Sequence, residues 1–247
     1  LVGAAALPLQ DPQAAVQEVA RAAKLGLRGS FVRPNPHAGR PIHDEAFFPV
    51  WQALADHDMP LGFHPAGRRE LDGAARGMGA WMAPGTHHAL ILLFDCYTTL
   101  SNFVYAGVLE RIPALKVVML ESGGGWIAHW LDRMDEHMEA WGHATAKLPL
   151  RPSEYFRRQC FVSCDPQERA LASVVELAGD GCVVFATDYP HPDALAGDLV
   201  GRITGRADLD AAAQEKILHG NAERCFGLAR WPAARSRSSS WGSSRPS

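Results

Sequence analysis

Six short apolar runs punctuate the chain, at residues 1–7, 29–33, 59–63, 116–120, 160–163 and 182–187. Each is too short for a buried helix, and most are bounded by Gly, Pro, Asn or Asp, so each is read as a strand. Between them the apolar period lengthens to three or four. Ala15, Val19, Ala22 and Ala23 form one helical stripe, opened by Asp11-Pro12 and closed by Gly26. Asp44 opens a second helix, whose apolar face includes Phe47, Phe48, Trp51 and Leu54. Residues 87–111 read as helical material rich in Leu and Phe. Trp126, Trp130, Met134 and Met138, with Ile127, Leu131 and Trp141, mark the next helix. Asp165-Pro166 is expected to cap a helix running to Ala178, and residues 209–226 form the last helical region.

Strands that alternate with helices pair in parallel through right-handed crossovers. Two architectures satisfy that rule, an open doubly wound sheet and a (β/α)8 barrel. The first usually carries a glycine-rich fingerprint after its first strand, and none stands there. Gly123-Gly124-Gly125 follows the fourth strand instead and lacks the Lys-Ser/Thr of a phosphate loop. The expected fold class is therefore α/β, a TIM-barrel-like (β/α)8 fold of which six strands are present. The chain opens on Leu1 inside a strand, and the expectation is that two strands are cut from its N-terminus.

Composition changes this picture little. The 247 residues, 47% hydrophobic, suffice for one large α/β domain, expected over 1–228. No apolar run is long enough to span a bilayer, and no basic region precedes the N-terminal apolar residues. The five cysteines form no CxxC pair and read as reduced, buried thiols of a cytoplasmic protein. A net charge of −3 points to no nucleic-acid partner. The glycine-rich stretch 66–85 is expected to be a mobile lid or a disordered excursion, and the Ser/Arg/Pro-rich residues 229–247 a disordered tail.

Chemistry collects at strand ends. Parallel strands open their carboxyl ends onto one face, where barrel enzymes place their active sites. The groups delivered there are Arg33 with Asn35, His64, Glu121, Ser163 or Asp165, and Asp188 with His191. His64 and Glu121 lie 57 apart (121 − 64), and Glu121 and Asp188 lie 67 apart (188 − 121), so only a fold can gather them. A histidine and two carboxylates in one cleft suit a divalent metal or acid–base chemistry. The plainer reading is a strand-end histidine and a loop aspartate that serve the fold.

Several segments carry a resemblance. Residues 29–33, Leu61-Gly62-Phe63-His64-Pro65, Glu110-Arg111-Ile112-Pro113-Ala114-Leu115-Lys116-Val117-Val118, Ala186-Thr187-Asp188-Tyr189-Pro190-His191 and Gly220-Asn221-Ala222-Glu223-Arg224 occur in that order. Together they resemble the amidohydrolase-related family, in the branch of aminocarboxymuconate-semialdehyde and γ-resorcylate-type decarboxylases. The resemblance implies a distorted TIM barrel with one divalent metal, zinc first and manganese second. It assigns His64 and Asp188 as metal ligands and Asp188 as the group that exchanges protons. Many members place a histidine where Glu121 stands, which makes Glu121 the second catalytic candidate. Arg33 and His191 are the substrate-binding candidates. By this registration the chain supplies the family's strands three to eight, without the first-strand metal pair.

The implied activity is hydrolysis of a C–O or C–N bond in a small carboxylated ring by metal-activated water. Non-oxidative decarboxylation is the alternative. An inactive remnant, poorly stable alone, is a third reading. The partner implied is a small-molecule substrate, with a homodimer open and no nucleic acid or membrane.

Overall fold

A computed structural model describes residues 2–65, 86–142, 147–191 and 194–228. The stretch 66–85 and the tail 229–247, read above as lid and disordered extension, lie outside the described residues. Six strands are present among the described residues: β1 (Ala4–Ala6), β2 (Gly29–Val32), β3 (Leu61–Phe63), β4 (Val117–Met119), β5 (Cys160–Cys164) and β6 (Val183–Phe185). All pair in parallel, in the order β1-β2-β3-β4-β5-β6. Consecutive order means that each crossover steps the same way, so the sheet winds in one direction and has no switch point. That is a barrel's winding rather than a doubly wound sheet's.

Strand alternation sorts two apolar layers. Val117 and Met119 of β4, Val162 of β5 and Val183 of β6 face the helices and join the main core. Val118, Phe161 and Val184 face the other way and meet Cys225, Leu120 and Phe226. The main core is filled by α1 (Pro12–Lys24), α2 (Phe48–Asp56), α3 (Thr86–Tyr105), α5 (Trp126–Trp141) and α7 (Leu171–Ala178). Its aromatic seam runs Phe47–Trp51–Phe103–Phe63, with ring centroids 5.9, 5.8 and 5.0 Å apart.

Two helical readings need correction. The helix expected over 87–111 is broken: α3 ends at Tyr105, Gly107 turns left-handed at φ 76°, and α4 (Val108–Arg111) restarts. Asp165-Pro166 does not cap α7, which begins at Leu171. The Asp165 backbone N–H instead donates to the Glu168 carboxylate (2.8 Å), which holds this segment in a turn. The remaining α-helices among the described residues are α6 (Pro152–Gln159), α8 (Leu199–Thr204), α9 (Ala211–Glu215) and α10 (Asn221–Phe226), the last two joined by a wider π turn at Lys216–Gly220.

The Asn221 side chain donates to the carbonyls of Asp180 and Val183, both at 2.7 Å. It thereby ties α10 to the start of β6 and lays Cys225 and Phe226 over the inner face. No helix among the described residues is long and apolar enough to cross a membrane.

Candidate active site

Three strand ends supply the chemistry. His64 follows β3 directly, and its Nδ1 lies 2.9 Å from the Pro65 carbonyl oxygen. A carbonyl only accepts, so Nδ1 carries the proton and Nε2 of the neutral ring keeps its lone pair. That Nε2 stands 3.1 Å from Glu121 Oε2. A lone pair facing a carboxylate is repulsive unless a proton or a cation lies between them.

Glu121 and Asp188 end β4 and β6 in the same unusual way, with φ of 51° and 53°. A left-handed backbone costs a residue with a Cβ roughly 1–2 kcal/mol, and it occurs where the surroundings over-determine it. Both carboxylates are thus aimed by strained turns. His191 Nδ1 lies 3.4 Å from Asp188 Oδ2. One donor atom from each of Glu121, Asp188 and His191 lies within 4.8 Å of the others, a spacing that a single divalent ion can bridge.

His64, Glu121 and Asp188 border a cavity of about 380 Å³. His64, Glu121, Ser122, Ser163, Asp165, Gln167, Thr187 and Asp188 form its polar part, and Leu92, Leu93, Leu120, Leu195 and Leu199 part of its apolar wall. No Lys or Arg is among its described lining residues. Arg33 stands half-buried at the end of β2, outside that lining, with its carbonyl accepting from His37 Nε2 (3.0 Å). Asn35 is also elsewhere: buried, it donates to Asp95 Oδ2 (2.6 Å). So β3, β4 and β6 bring His64, Glu121, Asp188 and His191 together, while Arg33 is not among the described lining residues.

The cysteines supply no nucleophile. Burial pushes the Cys96, Cys164 and Cys225 thiols up to about 12 and Cys182 to about 11, and raises Cys160 as well. Sequence reasoning missed Glu168, whose carboxylate sits behind the glycine turn after Glu121. Three consecutive glycines signalled a close approach there, but nothing local identified the group approached.

The amidohydrolase family model matches residues 1–228. The chain belongs to the amidohydrolase family. Among curated relatives, this amidohydrolase is 28% identical over 244 residues to γ-resorcylate decarboxylase of Polaromonas sp. strain JS666, covering 92% of this chain and 71% of that one. It is 27% identical over 231 residues to 2-amino-3-carboxymuconate-6-semialdehyde decarboxylase of Dictyostelium discoideum, covering 92% of this chain but 61% of the relative. The crystal structure of dihydroxybenzoic acid decarboxylase from Polaromonas sp. JS666, with bound manganese and the inhibitor 2-nitroresorcinol, superposes with a TM-score of 0.75. That match is 25% identical and covers 93% of this chain and 70% of that one. These relatives are named for loss of CO₂, not for hydrolysis, and the solved neighbour holds manganese where zinc was the first expectation.

Proposed function

We propose that this amidohydrolase is a divalent-metal-dependent carboxy-lyase that removes CO₂ from a small carboxylated ring. The observation that carries the reading is the cavity: acid and imidazole side chains and several leucines in one lining, beside the Glu121–Asp188–His191 cluster, with no Lys or Arg among the described lining residues. A carboxylate entering it needs positive charge, and the cluster of Glu121, Asp188 and His191 beside His64 is the place to hold some. Hard carboxylate oxygens with imidazole suit manganese as well as zinc, and the neighbour's manganese favours that ion. A bound divalent ion would supply the charge that offsets the substrate's carboxylate.

The chain's residues do the rest. His64 offers Nε2 because Pro65 holds the Nδ1 proton. Asp188, protonated and paired with His191, delivers its proton to the ring carbon that bears the carboxylate. The bond from that carbon to the carboxylate then breaks, its electron pair returns to the ring, and CO₂ leaves. Asp188 regains a proton through His191, so the sum is one carboxylate and one proton giving one ring C–H and one CO₂. The leucines in the lining favour this direction, because an apolar surround disfavours the charged carboxylate and not the neutral CO₂ that leaves. Arg33 has no part in this scheme.

The test is direct. Purified protein loaded with Mn²⁺ is incubated with γ-resorcylate and a panel of other hydroxybenzoates and carboxylated semialdehydes, and CO₂ release is followed with and without chelator. Chelator-sensitive CO₂ from any of them is the expected result. Hydrolysis of ester, amide or lactone analogues with no CO₂ from the acids would return the site to the hydrolytic reading.

A further inference from the structure

We propose that Glu168 is the positioning residue of this site, clamping the turn that carries Glu121 to the turn that carries Asp165. This rests on the reading of the acid cluster as the metal and proton site.

Glu168 accepts three backbone N–H groups from two loops. Oε2 takes Gly124 N–H (2.8 Å) and Gly125 N–H (2.8 Å), while Oε1 takes Asp165 N–H (2.8 Å) and lies 3.0 Å from Gly124 N. Both loops line the cavity, through Glu121, Ser122 and Gly123 on one side and Asp165, Pro166 and Gln167 on the other. Glu168 itself does not line it, so it acts through these neighbours rather than on a substrate.

The glycine turn lies in van der Waals contact with this carboxylate. A Cβ at Gly123 or Gly125 would lie 3.5 Å from a Glu168 oxygen, and at Gly125 also 2.9 Å from the Ala170 Cβ. Gly123 further requires φ of +64°. The missing Lys-Ser/Thr after these glycines now has a meaning: the nest of N–H groups holds an anion, but an internal one. Gly124 and Gly125 immediately precede α5, so the carboxylate also satisfies orphan donors at the positive end of a sixteen-residue helix. Glu168 is anchored in turn, since Arg206 Nη1 donates to its carbonyl (2.6 Å) while Arg206 pairs with Asp208. Glu121 lies three residues before Gly124 at φ 51°, a conformation glutamate holds only where the flanking chain is fixed.

The experiment compares wild type, Glu168→Gln and Glu154→Gln. Glu154 is the control because it also accepts a backbone N–H at a helix start (Arg151, 2.7 Å), away from the cavity. Mn²⁺ affinity is measured by electron paramagnetic resonance, and amide exchange at Gly124, Gly125 and Asp165 by NMR. The Trp126 indole N–H, which donates to the Gly123 carbonyl (2.9 Å), is a third reporter.

Glu168→Gln is expected to weaken Mn²⁺ binding on the order of 10-fold, as loss of an orienting partner does, and Glu154→Gln to leave it unchanged. The three amides should exchange faster and the Trp126 indole resonance should move in Glu168→Gln alone. Unchanged Mn²⁺ affinity in Glu168→Gln, or amides as protected as in wild type, would overturn the proposal. Should Glu168→Gln fail to fold, Glu168→Asp keeps the charge and shortens the reach, and the same shifts, smaller, are expected. A wild type that takes up no Mn²⁺ overturns the metal reading; the amide exchange then decides the clamp alone.

Discussion

Single residues set the chemistry through local geometry. Two carboxylates sit in left-handed turns, and His64, at the end of β3, has its proton assigned by a neighbouring carbonyl. If Asp188 donates the proton, Asp188→Asn keeps the size and the left-handed turn but loses the acid. It should lower kcat by roughly 10²–10⁴-fold with the circular dichroism spectrum and melting temperature preserved. Activity close to wild type would remove Asp188 from the mechanism. The thiols give a separate check. Raised pKa values mean neutral S–H below the shifted value, so the buried cysteines carry almost no thiolate at pH 8. All five should resist Ellman's reagent in the native protein and react in denaturant. Rapid native labelling of any of them would contradict that burial.

Secondary elements were largely legible because their faces repeat. The α1 stripe of Ala15, Val19 and Ala22 is fully buried, and Asp11 caps the helix through bonds to Gln13 N (2.9 Å) and Ala14 N (3.1 Å). Asp11→Ala should therefore cost about 1 kcal/mol in a denaturant melt. Ile127 of α5 is wholly buried in the main core, and Ile127→Ala should cost about 2–5 kcal/mol in the same measurement. The misread elements fail for a shared reason, that a distant or special backbone group intervenes. Gly107 breaks a periodic stretch with one left-handed residue. Glu168 pulls Asp165 into a turn, so the proline after it starts no helix. Helix periodicity registers side chains that face a core, and neither event involves one.

At the scale of the molecule the consecutive parallel order decides what meets. It carries the ends of β3, β4 and β6 to one rim, while Arg33, just past β2, lies outside the cavity's described lining, its carbonyl accepting from His37. A metal bridging the cluster would link two strand ends and the loop after β6, so it should stabilise the whole fold. At about a hundredfold excess over its dissociation constant, Mn²⁺ would add about 2.7 kcal/mol. For a chain of this size that raises the melting temperature by roughly 5–10 °C. Scanning calorimetry with Mn²⁺ and then with chelator should show the rise and its reversal, and Glu121→Gln should blunt it. A melting temperature indifferent to Mn²⁺ would count against the site.

Sequence alone determined the six strands, the alternation with helices, the barrel class and the candidates His64, Glu121, Asp188 and His191. Each is written in a local signal: an apolar run of strand length, a helical period, or a polar group placed where such a run stops. Only the tertiary structure decided which of those groups share a cavity, that Arg33 lies outside its described lining, and that the glycine turn after Glu121 wraps the Glu168 carboxylate. Those facts depend on distances between residues more than forty positions apart, such as Gly124 and Glu168 or His64 and Glu121. Strand order and loop path set such distances, and no window along the chain contains them.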